Sequence, residues 1–366
     1  MDPRVRKLAK LLINYSLELK KGQLLKIKGE HVAMPLMQAA FEEAIAVGAN
    51  PYIEVVCPDA VEAMVKRGSK DQITYVTPMA RLEVTKMDAL LAIWGNQNTN
   101  YLAGADPKKQ ALVRKGRSKI QRTLFKRIAD KSLMWVGTQF PTQADAQKAE
   151  MSLSDYEEFV YRAGNLHLPD PVKHWKRVAK EQLRLVKILN RVDKLHFRGS
   201  NVDLKLRVKG RKWISCHGTE NFPDGEIFSS PIENTVEGFI QFTYPAEYDG
   251  RAAENVRLEL KGGRVVKESA TRNLDFVTAM LNTDKGARSV GEIAIGTNYE
   301  IKRATGNTLF DEKIGGTCHM AVGASILESG GKNYSAIHWD MVCDLKKDGE
   351  IVADGKVIYR KGKFVV

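Results

Sequence analysis

The chain has 366 residues, 43% of them hydrophobic and 28% charged. That length suits two or three domains with cores of their own, and the balance excludes disorder as the main state. A formal charge of +13 raises nucleic acid as a partner, but no Cys/His finger, glycine-arginine tail or basic arm accompanies it, so a solvated basic surface is the plainer expectation.

Cys57, Cys216, Cys318 and Cys343 stand far apart with no CxxC pair, which favours reduced thiols and a cytoplasmic setting over a disulfide scaffold. From Val5 to Leu19 the apolar positions recur with helical spacing, interrupted by charges. This predicts an amphipathic helix rather than a signal peptide or membrane span, and no later apolar run reaches spanning length. QLLKIKG reads as a strand before a helix over 32–46, PYIEVVC as extended, and the chain near Val61 as helical. ALLAIWGNQNTN and KSLMWVGTQFP are apolar strands running into polar turns. This alternation predicts an α/β domain with a partly parallel sheet. Asn96, Asn98 and Asn100, in the loop after the first of these strands, are either turn residues or neutral hydrogen-bonding groups on the substrate side. SLSDYEEFVYRAG reads as a helix with Ser152 or Ser154 near its start, Ser154 and Glu157 being spaced as a capping box, and a longer helix is predicted over 172–190. After residue 190 the texture changes to short alternating runs between glycines, such as VDLKLRV and VRLELKGGRVV, ending in a hairpin at GEIVADGKVIYRKGKFVV. The expected fold is therefore an α/β N-terminal domain, residues 1–190, followed by a β-rich α+β domain, residues 191–366.

The chemistry is expected in that second half. In AIHWDM, an extended backbone sends His338 and Asp340 to one face and Trp339 to the other. Glu226 follows the turn in NFPDGEIF, Glu292 opens the apolar run of GEIAIGTN, and His319 lies in GGTCHMAVG. Each has an ordinary structural reading by itself. Together the three carboxylates and two imidazoles form a mixed N/O set suited to divalent ions, and two such ions can activate water against a peptide or a phosphate ester.

NFPDGEIF, GEIAIGTN, DEKIGGTCHMAVG and SAIHWDM occur in the order found in the M29 family of thermophilic, metal-dependent aminopeptidases. NQNTNYLAGADP and TQFPTQADAQKAEMSLSDYEEF extend the resemblance through the N-terminal half. The resemblance implies removal of N-terminal residues from peptides through water activated by two divalent ions, zinc or cobalt, with manganese or magnesium as alternatives. It implies Glu226, Glu292, His319, His338 and Asp340 as ligands, at least one glutamate bridging, and a homodimer. Among the site glutamates, Glu292 is the candidate proton handler if coordination does not fully commit it. A peptide with a free N-terminus would be the substrate. The family's active-site tyrosine falls on Ile326, which cannot donate a phenolic hydrogen bond, and Tyr334 is the nearest phenol in sequence. That departure keeps open a related hydrolase of a modified amide or phosphate ester, or a non-catalytic RNA- or protein-binding module.

Overall fold

The computed structural model describes residues 2–248 and 250–366. The chain divides into two compact units, Met1–Val172 with Gly218–Phe222, and Lys173–His217 with Pro223–Val366.

The first unit is built on a parallel sheet with strand order Asn50–Val56, Leu24–Glu30, Ala89–Trp94, Met134–Gln139, Asn221–Phe222. Parallel neighbours require crossovers, and the intervening segments supply helices. The opening helix runs over Pro3–Leu11, its first turn capped by Asp2, whose side chain accepts from the Arg4 amide at 2.7 Å. It then widens into a π turn over Leu12–Ser16 instead of continuing to Leu19. The later helix, Leu153–Ala163, is capped by Ser152, not Ser154. The Ser152 hydroxyl accepts from the Asp155 amide at 3.1 Å, so no capping box forms with Glu157. Asn96 is turned into its own loop, its amide and side chain both bonding Asp145, at 3.0 and 2.8 Å. One long helix, Pro107–Ala129, was not anticipated, because its apolar positions are sparse; Ile120, Leu124 and Ile128 pack against Val84, Met87 and Leu133.

The second unit holds two large antiparallel sheets and a small two-stranded one, Ala246–Tyr248 with Arg251–Ala253. Eight strands run in the order Arg264–Ser269, Arg257–Lys261, Glu237–Gln241, Val202–Arg207, Lys194–Gly199, Glu350–Ala353, Lys356–Arg360, Lys363–Phe364. A five-stranded sheet runs in the order His338–Asp344, Thr317–Gly323, Val290–Gly296, Glu226–Ser229, Ile214–Cys216. Alternation puts Ile227, Ile293, Ile295, Cys318, Met320, Val322, Trp339, Met341 and Cys343 on one face of the smaller sheet. All of them join the same buried cluster as Phe197, Leu204, Ile240 and Leu258 of the larger one. Trp339 anchors this face, edge-on to Tyr248 and tilted against Phe276, with ring centroids at 6.1 and 5.5 Å.

Candidate metal centre

The other face of the five-stranded sheet carries the residues singled out from sequence. Ala321 pairs in register with Glu292 on one side and Asp340 on the other, so these three positions form one row across the sheet. Gly323 opposes His338, His319 lies two residues from Ala321 on the same face, and Glu226 opposes Gly296. Small residues alternate with the polar ones, which leaves their side chains room to converge. A register shift between Val290 and Glu292 sends Val290 into the core and Glu292 to the polar face, although two residues normally share a side. Gly225 sets up Glu226. Its φ is +130°, and a Cβ there would lie 2.6 Å from the Cβ of Asn298.

The structure brings all five predicted residues together. His319 Nε2 lies 3.2 Å from Glu226 Oε2 and 3.3 Å from Glu292 Oε1, while His338 Nε2 lies 3.4 Å from Glu292 Oε2 and 3.3 Å from Asp340 Oδ2. These separations are long for charge-assisted hydrogen bonds. They match the roughly 3.3–3.4 Å between two donors that share one tetrahedral ion at about 2.0–2.1 Å. His338 Nδ1 is 2.7 Å from the carbonyl oxygen of Ala324, so it donates there and the ring presents Nε2 to the two carboxylates. An unprotonated Nε2 would point a lone pair at negative oxygens. The arrangement therefore calls for a cation, either a proton or a metal. Glu226 Oε2 and Asp340 Oδ1 are buried with no hydrogen-bond donor, which points the same way.

Electrostatics reflect that demand. Burial pulls both imidazoles down, yet Glu292 beside His319 and Asp340 beside His338 hold them up at about 9 and about 12. Burial pushes Glu292 up, but hydrogen bonds from His319 and His338 bring it below the usual glutamate value, and His338 does the same for Asp340.

Two residues of the centre escaped the sequence reading. Glu312 groups with Glu226 and His319, and Glu292 and Asp340 group with the same His319, each set with its ligand atoms within 4.8 Å of one another. Burial, opposed by Lys313 and reinforced by Asp340 and Glu226, raises the Glu312 carboxyl to about 8. Lys313, 2% exposed, extends its ammonium to Glu226 Oε1 at 2.6 Å and to Glu312 Oε2 at 2.8 Å. The one signal for both was the charged pair ahead of IGGTCH, which the resemblance placed in a motif without giving it a role. Ile326 is half-buried just before the short turn Leu327–Ser329, two residues past Ala324, and Tyr334 is 78% exposed.

The family profile described as thermophilic metalloprotease (M29) matches residues 1–364. The chain belongs to the M29 family. Aminopeptidase 2 of Geobacillus stearothermophilus is 26% identical over 99% of this chain and 98% of its own. Aminopeptidase T of Thermus aquaticus is 25% identical over 99% and 98%. The structure of AmpT from Thermus thermophilus matches with a TM-score of 0.86 at 23% identity, covering 100% of this chain and 99% of that one. The expected α/β and β-rich architecture is thus the M29 fold. Membership makes the chain a metal-dependent peptidase, and peptides are its substrate class.

Proposed function

We propose that this M29 protein is an aminopeptidase whose centre takes two divalent ions, zinc or cobalt first among them. The convergence of Glu226, Glu292, Glu312, His319, His338 and Asp340 on one sheet face carries the reading. Glu226 and Glu312 would hold one ion and His338 and Asp340 the other. Glu292, with one oxygen toward each histidine, is the bridging candidate, and His319 stands between the two groups. When bound, such ions supply Lewis acidity toward a carbonyl oxygen and toward water.

The chain's own groups do the rest. The substrate's free amine needs a metal or acidic partner at the centre, which would favour the first peptide bond over an internal one. A site carboxylate takes the proton from water and returns it to the leaving amine. Sequence suggested Glu292, but both of its oxygens face histidines. Glu312 is the second candidate, through whichever oxygen Lys313 and coordination leave free, and its carboxyl stands at about 8 in the metal-free site. Residues 191–366, which hold every residue of the centre, are the catalytic domain of a cytoplasmic homodimer. Four unbridged cysteines support that compartment, and no helix among the described residues is long and apolar enough to cross a membrane.

The test is release of free amino acids from unblocked dipeptides by protein loaded with zinc, cobalt or manganese, beside N-acetylated dipeptides and a phosphate ester. Turnover of the unblocked peptides alone supports the assignment. No release with any metal sinks it, and hydrolysis of the ester instead selects the related-hydrolase reading.

A further inference from the structure

The strongest charge feature of the molecule lies outside the metal centre. The helix Pro107–Ala129 carries nine lysines and arginines and no carboxylate, in a chain whose whole net charge is +13. Its first turn has no acidic residue, although Lys108 and Lys109 sit there against the helix dipole. Lys115 and Lys119, and Arg122 and Lys126, are like charges four apart, an arrangement that destabilises an isolated helix. A helix serving only to cover the sheet would interleave glutamates.

Lys109 and Arg127 are committed to backbone carbonyls, including those of Gly68 and Met87. The other seven cations, Lys108, Arg114, Lys115, Arg117, Lys119, Arg122 and Lys126, are exposed. Among the described residues none of these pairs with a carboxylate within ion-pair distance; Asp106 caps the helix start and Asp130 follows its end. At about 100° per residue, Lys108, Lys115, Lys119, Arg122 and Lys126 fall within about 60° of one another, a single row about 27 Å long. Phe125, beside that row, is 60% exposed.

We propose that this helix is a docking surface for single-stranded RNA. A row of unpaired cations one helix wide fits a linear polyphosphate, and an exposed aromatic beside it offers a base a stacking face. Phe125 is the one exposed large apolar side chain on this helix, and Ile120, Leu124 and Ile128 are turned against the domain, which leaves too little apolar face for insertion into a lipid surface. Sequence alone suggested a scattered basic surface. The structure aligns five of those cations on one face of this helix. The proposal is independent of the chemistry at the metal centre.

Fluorescence anisotropy of labelled oligouridylate about 20 nucleotides long, with the full chain, tests it. Five phosphate contacts on a single strand give a log–log salt slope of about −3.5, a loss of roughly 100-fold between about 50 and about 200 mM salt. Replacing Lys115, Lys119, Arg122 and Lys126 by glutamine keeps good helix formers. It should bring the slope to about −0.7 and weaken binding at low salt at least about 50-fold, with dipeptide hydrolysis and thermal unfolding unchanged. Should that variant unfold, Lys119→Gln with Arg122→Gln alone should lower the slope by about 1.4. Phe125→Ala should weaken binding about 5- to 100-fold without altering the slope. No RNA binding at low salt, equal affinity in the folded variants, or tighter binding to phosphatidylserine-containing vesicles than to RNA would each overturn the proposal.

Discussion

Replacing Lys313 by methionine removes the buried ammonium that joins Glu226 and Glu312 while keeping nearly the same volume. At 2.6 and 2.8 Å the two contacts are close, and Lys313 is almost fully enclosed. With an effective dielectric of about 20, each contact carries on the order of 6 kcal/mol of attraction, most of it offset by desolvation. Removing one partner leaves two buried carboxylates facing each other, a change that costs about 3–5 kcal/mol. For a unit of this size about 1 kcal/mol shifts Tm by about 2–4 °C, so the metal-free variant should melt about 6–20 °C lower. A divalent ion held by the same carboxylates restores the missing positive charge. With zinc or cobalt present the deficit should therefore shrink to below about 5 °C. Thermal unfolding followed by circular dichroism, after exhaustive chelation and again after reloading, measures both numbers. An equal deficit in the two states would refute the reasoning, because Lys313 would then be acting as a packing residue and not as a charge partner of the ligands.

Glu292→Gln should lower turnover of unblocked dipeptides at least about 100-fold and reduce metal uptake, measured by elemental analysis after gel filtration. In the metal-free protein His319 and His338 are protonated at neutral pH, so metal entry displaces a proton from each. Affinity should rise with pH through about 9, where His319 titrates, and keep rising toward about 12, where His338 does, as seen by chelator competition and by proton release in weak buffer. The same raised values set a stability window. The stabilisation from charged His319 is complete below the ordinary imidazole value of 6.5 and is lost as pH climbs through about 9 in the metal-free state. Trp339→Ala, opening a cavity behind His338 and Asp340, should cost about 3–5 kcal/mol in urea unfolding; a loss below about 1 kcal/mol would contradict its anchoring role. Ile326→Tyr should raise kcat about 10-fold or more with KM little changed, as expected if a phenol there stabilises an oxyanion.

Local pattern determined much of this protein by itself. Period-two alternation in AIHWDM was enough to set His338 and Asp340 on one face and Trp339 on the other, because strand geometry has no freedom there. Glycine ahead of Glu226 signalled a turn into a strand, and the motif order identified the family over the whole chain. Three things only the tertiary structure decided. Strand order and register laid Glu292, Ala321 and Asp340 in one row, with a bulge aiming Glu292, and pairing across 29 and 19 residues of sequence leaves no local signature. Glu312 and Lys313 joined the centre because a turn folds them beside Glu226, about 87 residues earlier in the chain, where a buried charge needs a partner. And the basic helix became a single charged row because its few apolar residues pack inward, leaving its cations to solvent without carboxylate partners.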